Sequence, residues 1–66
     1  MKNRIRIERA ILDITQAQLA EQVNVTRQTI NAIEANKYVP SAVLAIKIAR
    51  TFGKTVEEVF ELEEGE

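Results

Sequence analysis

Residues 15–41, TQAQLAEQVNVTRQTINAIEANKYVPS, decide how this chain folds. Thr15 followed three residues later by Gln18 is a capping box, in which hydroxyl and carboxamide each satisfy a backbone donor that a helix start leaves orphaned. Thr26 can cap a second helix in the same way and Ser41 a third. Asn24 and Asn36 are of the residue type that, after glycine, most readily takes the left-handed backbone ending a helix. Pro40 pushes Val39 towards extended geometry just before Ser41. These signals predict two short helices over 16–23 and 27–35, separated by about three residues.

Outward from this stretch, the pattern predicts helices throughout. Pro40, Gly53 and Gly65 are the only proline and glycines in 66 residues, so long helical runs joined by short turns are expected. Thr55 and Glu58 form a second capping box, and Gly53 supplies another stop. With 42–52 and 56–62 completing the set, five helices are expected, the first over about 3–12. Apolar residues recur at helical spacing. Leu19, Ala20 and Val23 share one face, Val25, Ile30 and Ile33 another, and the helix over 42–52 is apolar nearly all round, which marks it as central. The first segment reads two ways: RIRI alternates as a strand does, whereas Ile7, Ile11 and Ile14 fit a helix and its exit. A helix starting near Arg4 is favoured over a short N-terminal strand used in a dimer.

A chain of this length makes one domain, 1–66, and buries only roughly 60% of the surface its unfolded form exposes. It has no cysteine and no histidine, which excludes disulfides and leaves a structural zinc without its usual ligands. No apolar run approaches the roughly 20 residues that span a bilayer, and MKNRIRI lacks a secretory h-region. A soluble, cytoplasmic protein without membrane contact is expected. The net charge of −1 conceals two opposed regions. Residues 1–54 carry all nine Lys and Arg against four acids, a net +5, while residues 55–66 carry six Glu and no base, −6.

Two short helices joined by a tight turn, with small Ala20 where they approach, form a helix-turn-helix over 16–35, whose second helix can enter the DNA major groove. If Ile30 and Ile33 point inward, Gln28, Asn31, Ala32 and Ala35 point away, with Arg27 on the flank. Arg pairs bidentately with guanine and Gln or Asn with adenine, while Ala32 is short enough to admit a base edge or a thymine methyl. Arg27, Gln28 and Asn31 are therefore the candidate base contacts. Thr26 and Thr29, in the first turn where free amides favour phosphate, and Gln16, at the preceding helix start, are candidate backbone contacts.

The stretch quoted above resembles the phage-repressor and Cro-like (XRE) helix-turn-helix family, a resemblance extending over residues 4–60. It implies an all-α, compact five-helix, lambda-repressor-like domain that binds double-stranded operator DNA, usually as a homodimer, and regulates transcription; with no second domain expected, no small-molecule effector is expected either. It also implies that Gln16, Thr26, Lys37 and Tyr38 contact the DNA backbone, with Thr29 able to contact backbone or base. Arg9 and Glu34 match a pair that forms a structural ion pair in some members. Asn24 and Asn36 stand where members commonly carry glycine, Asp13 replaces another glycine, and Ile7-Glu8 departs from the leucine usually placed before the arginine matching Arg9.

The acidic end, residues 57–66, reads either as a solubilising tail or as an oligomerisation helix whose Val56, Val59, Phe60 and Leu62 form a dimer interface. Six glutamates are repelled by DNA, so this end is expected to point away from it. Catalysis is not expected: the chain lacks a nucleophile–base set, a phosphate-cradling glycine loop and a cofactor motif. The reading from another class is a protein-interaction module, antitoxin-like or adaptor, on the same fold.

Overall fold

The computed structural model describes all of residues 1–66. Its elements run β1 (Lys2–Asn3), α1 (Ile5–Leu12), α2 (Gln16–Gln22), α3 (Arg27–Glu34), α4 (Ala42–Thr51), α5 (Val56–Val59) and β2 (Phe60–Glu61). Helix starts follow the sequence signals. Thr15 and Thr55 form complete capping boxes, and the Thr26 and Ser41 hydroxyls accept from the backbone N–H groups of Thr29 and Leu44. Helix ends repeat one device. Asp13, Asn24, Asn36 and Gly53 take positive φ of 56°, 60°, 60° and 67°. Beyond each, a backbone N–H reaches back over six residues: Ile14 to Arg9, Val25 to Ala20, Lys37 to Ala32 and Lys54 to Ala49, at 2.9–3.1 Å. These bonds satisfy carbonyls the helix ends leave open. Aspartate and asparagine thus do here what glycine does elsewhere, because their short polar side chains tolerate the left-handed region.

One core of thirteen buried apolar residues draws on every helix. Ile5, Leu19, Ile30, Ile33, Ile48 and Val59 are its largest fully buried side chains. α4 supplies Leu44, Ala45, Ile48 and Ala49, and Phe52 follows it inward, so the helix predicted as central is central. It is not buried all round: Val43 and Ile46 remain exposed on its outer side.

Two parts of the fold differ from the sequence expectation. The last helix does not run to residue 62. It stops at Val59, and Phe60–Glu61 becomes a strand that pairs antiparallel with Lys2–Asn3, Lys2 opposite Glu61 and Asn3 opposite Phe60. The N-terminal strand therefore forms, but within its own chain. Continuing the helix would set Glu61, Glu63 and Glu64 at a C-terminus whose partial charge is already negative. Strand pairing instead gives the Val59 carbonyl a donor, the Arg4 N–H at 2.8 Å, and turns the Phe60 ring into the core. Beyond β2 the acidic end folds back on the chain start, with the Met1 ammonium 3.5 Å from Glu63 and 3.1 Å from Glu66.

The second difference is the register of α1. Ile5 and Glu8 face inward, while Ile7 and Ile11, the residues expected to carry its apolar side, are 49% and 69% exposed. Ile5, Glu8 and half-buried Arg9 lie a turn apart on one side of the helix and Ile7 and Ile11 on another, and the core takes the first side. Arg9 then serves an ion pair rather than the core.

The four-residue α5 depends on its cap, since so short a helix cannot stand on propagation alone. Thr55→Ala is expected to cost about 1 kcal/mol, read as a lower urea midpoint with unchanged slope. Within this box the Thr55 backbone N–H, and then its hydroxyl, hold the Glu58 carboxyl below the usual carboxylate range. The stabilisation that follows is present above the ordinary glutamate pKa and is lost as pH falls through the lowered one.

Candidate nucleic-acid interface

α2 and α3 pack on each other through Leu19, Ala20 and Val23 on one side and Ile30 and Ile33 on the other, all at most 3% exposed. Ala20 lets the helices approach. With Ile30 and Ile33 held down, the 3.6-residue period turns Arg27, Gln28 and Asn31 to solvent, and all three are exposed. No ion pair engages Arg27. Thr29 and Ala32 are half-buried beside them.

The start of α3 is tightly built. Thr26 Oγ1 accepts the Thr29 N–H at 3.2 Å and lies 3.1 Å from Thr29 Oγ1. Both hydroxyls are thereby engaged in the cap, while Thr26 remains exposed beside the amides of the first turn. Past the end of α3, Lys37 and Tyr38 are exposed on the connection to α4. Tyr38 closes a shallow recess on the outer side of α3 with Thr26, Gln28, Thr29 and Ala32. A second depression joins Arg27 to Thr15, Gln16 and Ala17 at the start of α2. The two depressions meet at the start of α3, where Arg27 lines one and its chain neighbours Thr26 and Gln28 line the other.

Gln16 is placed on that surface, but its carboxamide has a structural partner. Its Nε2 donates to Glu34 Oε2 at 2.6 Å. Arg9 Nε donates to Glu34 Oε1 at 2.6 Å, its Nη2 to Glu34 Oε2 at 3.3 Å and its Nη1 to the Ile14 carbonyl at 3.0 Å. The Glu34 side chain is 2% exposed and that of Arg9 16%. Arg9 and Glu34 thus form the structural ion pair the resemblance implied, and Gln16 extends it. The network clamps the end of α3 to α1, to the turn after α1 and to the start of α2. Sequence spacing gave no sign of the Gln16 contact, because glutamine at a first helical position fits either role.

The acidic surface and the exposed face of α3 use different elements. Glu57, Glu58 and Glu61 border a hollow with Lys2, Asn3, Arg4 and Ile7, and none of these residues belongs to α2 or α3. The four residues expected at a dimer interface divide: Val59 and Phe60 are 1% and 6% exposed in the protomer's own core, Val56 is half-buried against it, and Leu62 alone is exposed. The turn of the chain into β2 is the physical reason.

A capped helix pair with a polar outer face on its second member, an apolar inner face and a cationic flank defines a helix-turn-helix DNA-binding domain. A family model described as helix-turn-helix matches residues 5–59. The chain is 48% identical over 66 residues to the uncharacterized HTH-type transcriptional regulator MJ0272 of Methanocaldococcus jannaschii, with both chains covered in full. It is 50% identical over 64 residues to the uncharacterized HTH-type transcriptional regulator YgzD of Bacillus subtilis, covering 97% of each. A third relative, an uncharacterized HTH-type transcriptional regulator of Methanothermobacter thermautotrophicus, is 49% identical over 65 residues, with 97% of this chain and 94% of its own covered. The chain belongs to the XRE-like helix-turn-helix family of transcriptional regulators.

Proposed function

We propose that the protein is a sequence-specific regulator that binds a pseudo-palindromic operator as a homodimer, laying α3 in the major groove of each half-site. The observation that carries this reading is the outer face of α3. Arg27, Gln28 and Asn31 stand exposed over a helix whose inner side is fully buried, so packing does not account for them and base edges would. Arg27, Gln28 and Asn31 are the proposed base contacts, and Thr26, Thr29, Lys37 and Tyr38 border them as backbone contacts. Gln16 can touch a phosphate only by sharing its carboxamide with Glu34 or leaving it. Two copies related by a dyad would read half-sites about one DNA turn apart, roughly 34–36 Å. Repression in the cytoplasm, by occupying a site that overlaps a promoter, is the regulatory sense proposed.

Selection of bound duplexes from a random pool at near-physiological salt tests this reading. An enriched inverted repeat supports it, and a pool without enrichment favours a protein-interaction role for the same fold. Reader and backbone contacts separate by mutation. Gln28→Ala is expected to cost about 1–3 kcal/mol on the selected site, relaxing preference at one base pair. Lys37→Ala should weaken all sequences about equally and reduce the slope of log K against log salt by about one. Equal losses on selected and random DNA for Gln28→Ala would remove it from the readers.

A further inference from the structure

We propose that Asn3 is a positioning residue for the phosphate contacts at Lys37 and Tyr38, acting through Asn36. This rests on the DNA-backbone role of the α3–α4 connection and adds to it a residue from the start of the chain. Asn3 lies in β1, yet its carboxamide is spent on partners 30 and 33 residues away. Nδ2 donates to the Ile33 carbonyl at 2.8 Å and to Asn36 Oδ1 at 3.1 Å, while Oδ1 accepts the Ile5 N–H at 3.2 Å. Both amine protons and the oxygen are thereby used. The Ile33 carbonyl is among those that the end of α3 leaves open, and the Asn36 N–H reaches the same oxygen at 3.0 Å. Asn3 thus holds the turn after α3 by its backbone and by its side chain.

Asn36 carries the chain through left-handed backbone at φ 60°, and Lys37 and Tyr38 follow it directly, both exposed. Their direction is set by the backbone they continue from. Glycine would take the same conformation more easily but would offer Asn3 no acceptor, so asparagine serves here as both turn and latch. The other end of the latch is firmly held. Asn3 lies opposite Phe60 in the sheet, the Arg4 N–H donates to the Val59 carbonyl at 2.8 Å, and Ile5 has no exposed surface. The sheet therefore holds the connection after α3, as Arg9 holds Glu34 at the helix end. A connection set in advance lowers the ordering cost of meeting a phosphate. Phosphates are the same in every sequence, so the latch acts on affinity and not on base preference.

Amide exchange followed by NMR on the full chain, without DNA, tests the latch. Asn3→Ala and Asn36→Gly should each lower protection of the amides at 36 and 37 by about two- to tenfold, the weight of a lost hydrogen bond. That change should exceed the one at the Ile30 amide in the middle of α3, which reports stability at large. On DNA, Asn3→Ala should weaken selected and random duplexes alike by about two- to tenfold. It should cost nothing further in a chain already carrying Lys37→Ala and Tyr38→Ala, because the contacts it positions are gone. A residue that only stabilised the fold would show the same loss in both backgrounds. Protection at 36 and 37 that falls no more than at Ile30 overturns the latch, and a DNA loss undiminished in the substituted background overturns the positioning role. Wild-type protein that binds no DNA overturns the DNA-reading role, and the positioning role with it, whatever the exchange shows.

Discussion

Arg9→Ala is expected to destabilise the protein by about 3–5 kcal/mol, the usual consequence of stripping one partner from a buried ion pair. Glu34 has almost no contact with water, and after the substitution Gln16 alone would face its carboxylate. The Ile14 carbonyl would lose its donor in the same step. A domain of this length holds a total stability of roughly 3–10 kcal/mol, so the loss is comparable to the whole. Urea denaturation at neutral pH checks it. A double substitution, Arg9→Met with Glu34→Leu, should recover much of the difference, because paired apolar groups leave no stranded charge. A single substitution costing under 1 kcal/mol would show that the clamp contributes little. The expected consequence for function follows from placement, since the pair ties the end of α3 to α1 and DNA affinity should fall with it.

Neighbouring residues on α3 should part company in a second experiment. Ile30 is fully buried between α2 and the rest of the core. Truncation to alanine removes three carbons and leaves a cavity, costing about 2–5 kcal/mol. Asn31, the next residue, is exposed, so Asn31→Ala should change stability by less than about 0.5 kcal/mol. The order reverses on DNA. Asn31→Ala is expected to cost about 1–3 kcal/mol on the selected operator and to relax its preference at one base pair. Ile30→Ala, measured where it is still folded, should keep the base preference of the wild type. Unfolding midpoints and titrations of selected and random duplexes together give the four numbers. If Asn31→Ala lost stability and kept specificity, the outer face of α3 would be structural.

Much of this arrangement is written in local signals. Thr15, Thr26, Ser41 and Thr55 each cap the helix their positions predict, and Asn24, Asn36 and Gly53 each end one. Caps act within three or four residues, which is why a sequence displays them. The same holds for the inward set on α3, where Ile30 and Ile33 fix by rotation which side chains face out. The misread parts depend on distant partners. Nothing near Phe60 announces that it will pair with Asn3, because two-residue strands carry no periodicity and their partner lies at the other end of the chain. Without that partner, Val56, Val59, Phe60 and Leu62 look like one helical stripe. Arg9 and Glu34, 25 residues apart, are paired only through the family resemblance, since nothing in the local spacing sets one beside the other. Gln16 was legible as a polar group at a helix start, but its bond to Glu34 depends on how α2 and α3 meet.

Groove placement is the central claim, and modification interference on the selected operator tests it directly. Dimethyl sulfate methylates guanine at N7 in the major groove and adenine at N3 in the minor groove. α3 in the major groove predicts that methylated guanines at one or two positions in each half-site block binding, and that Arg27→Ala abolishes the effect at one of them. Interference confined to adenine N3, or guanine interference unchanged by Arg27→Ala and Asn31→Ala alike, would contradict recognition through this face.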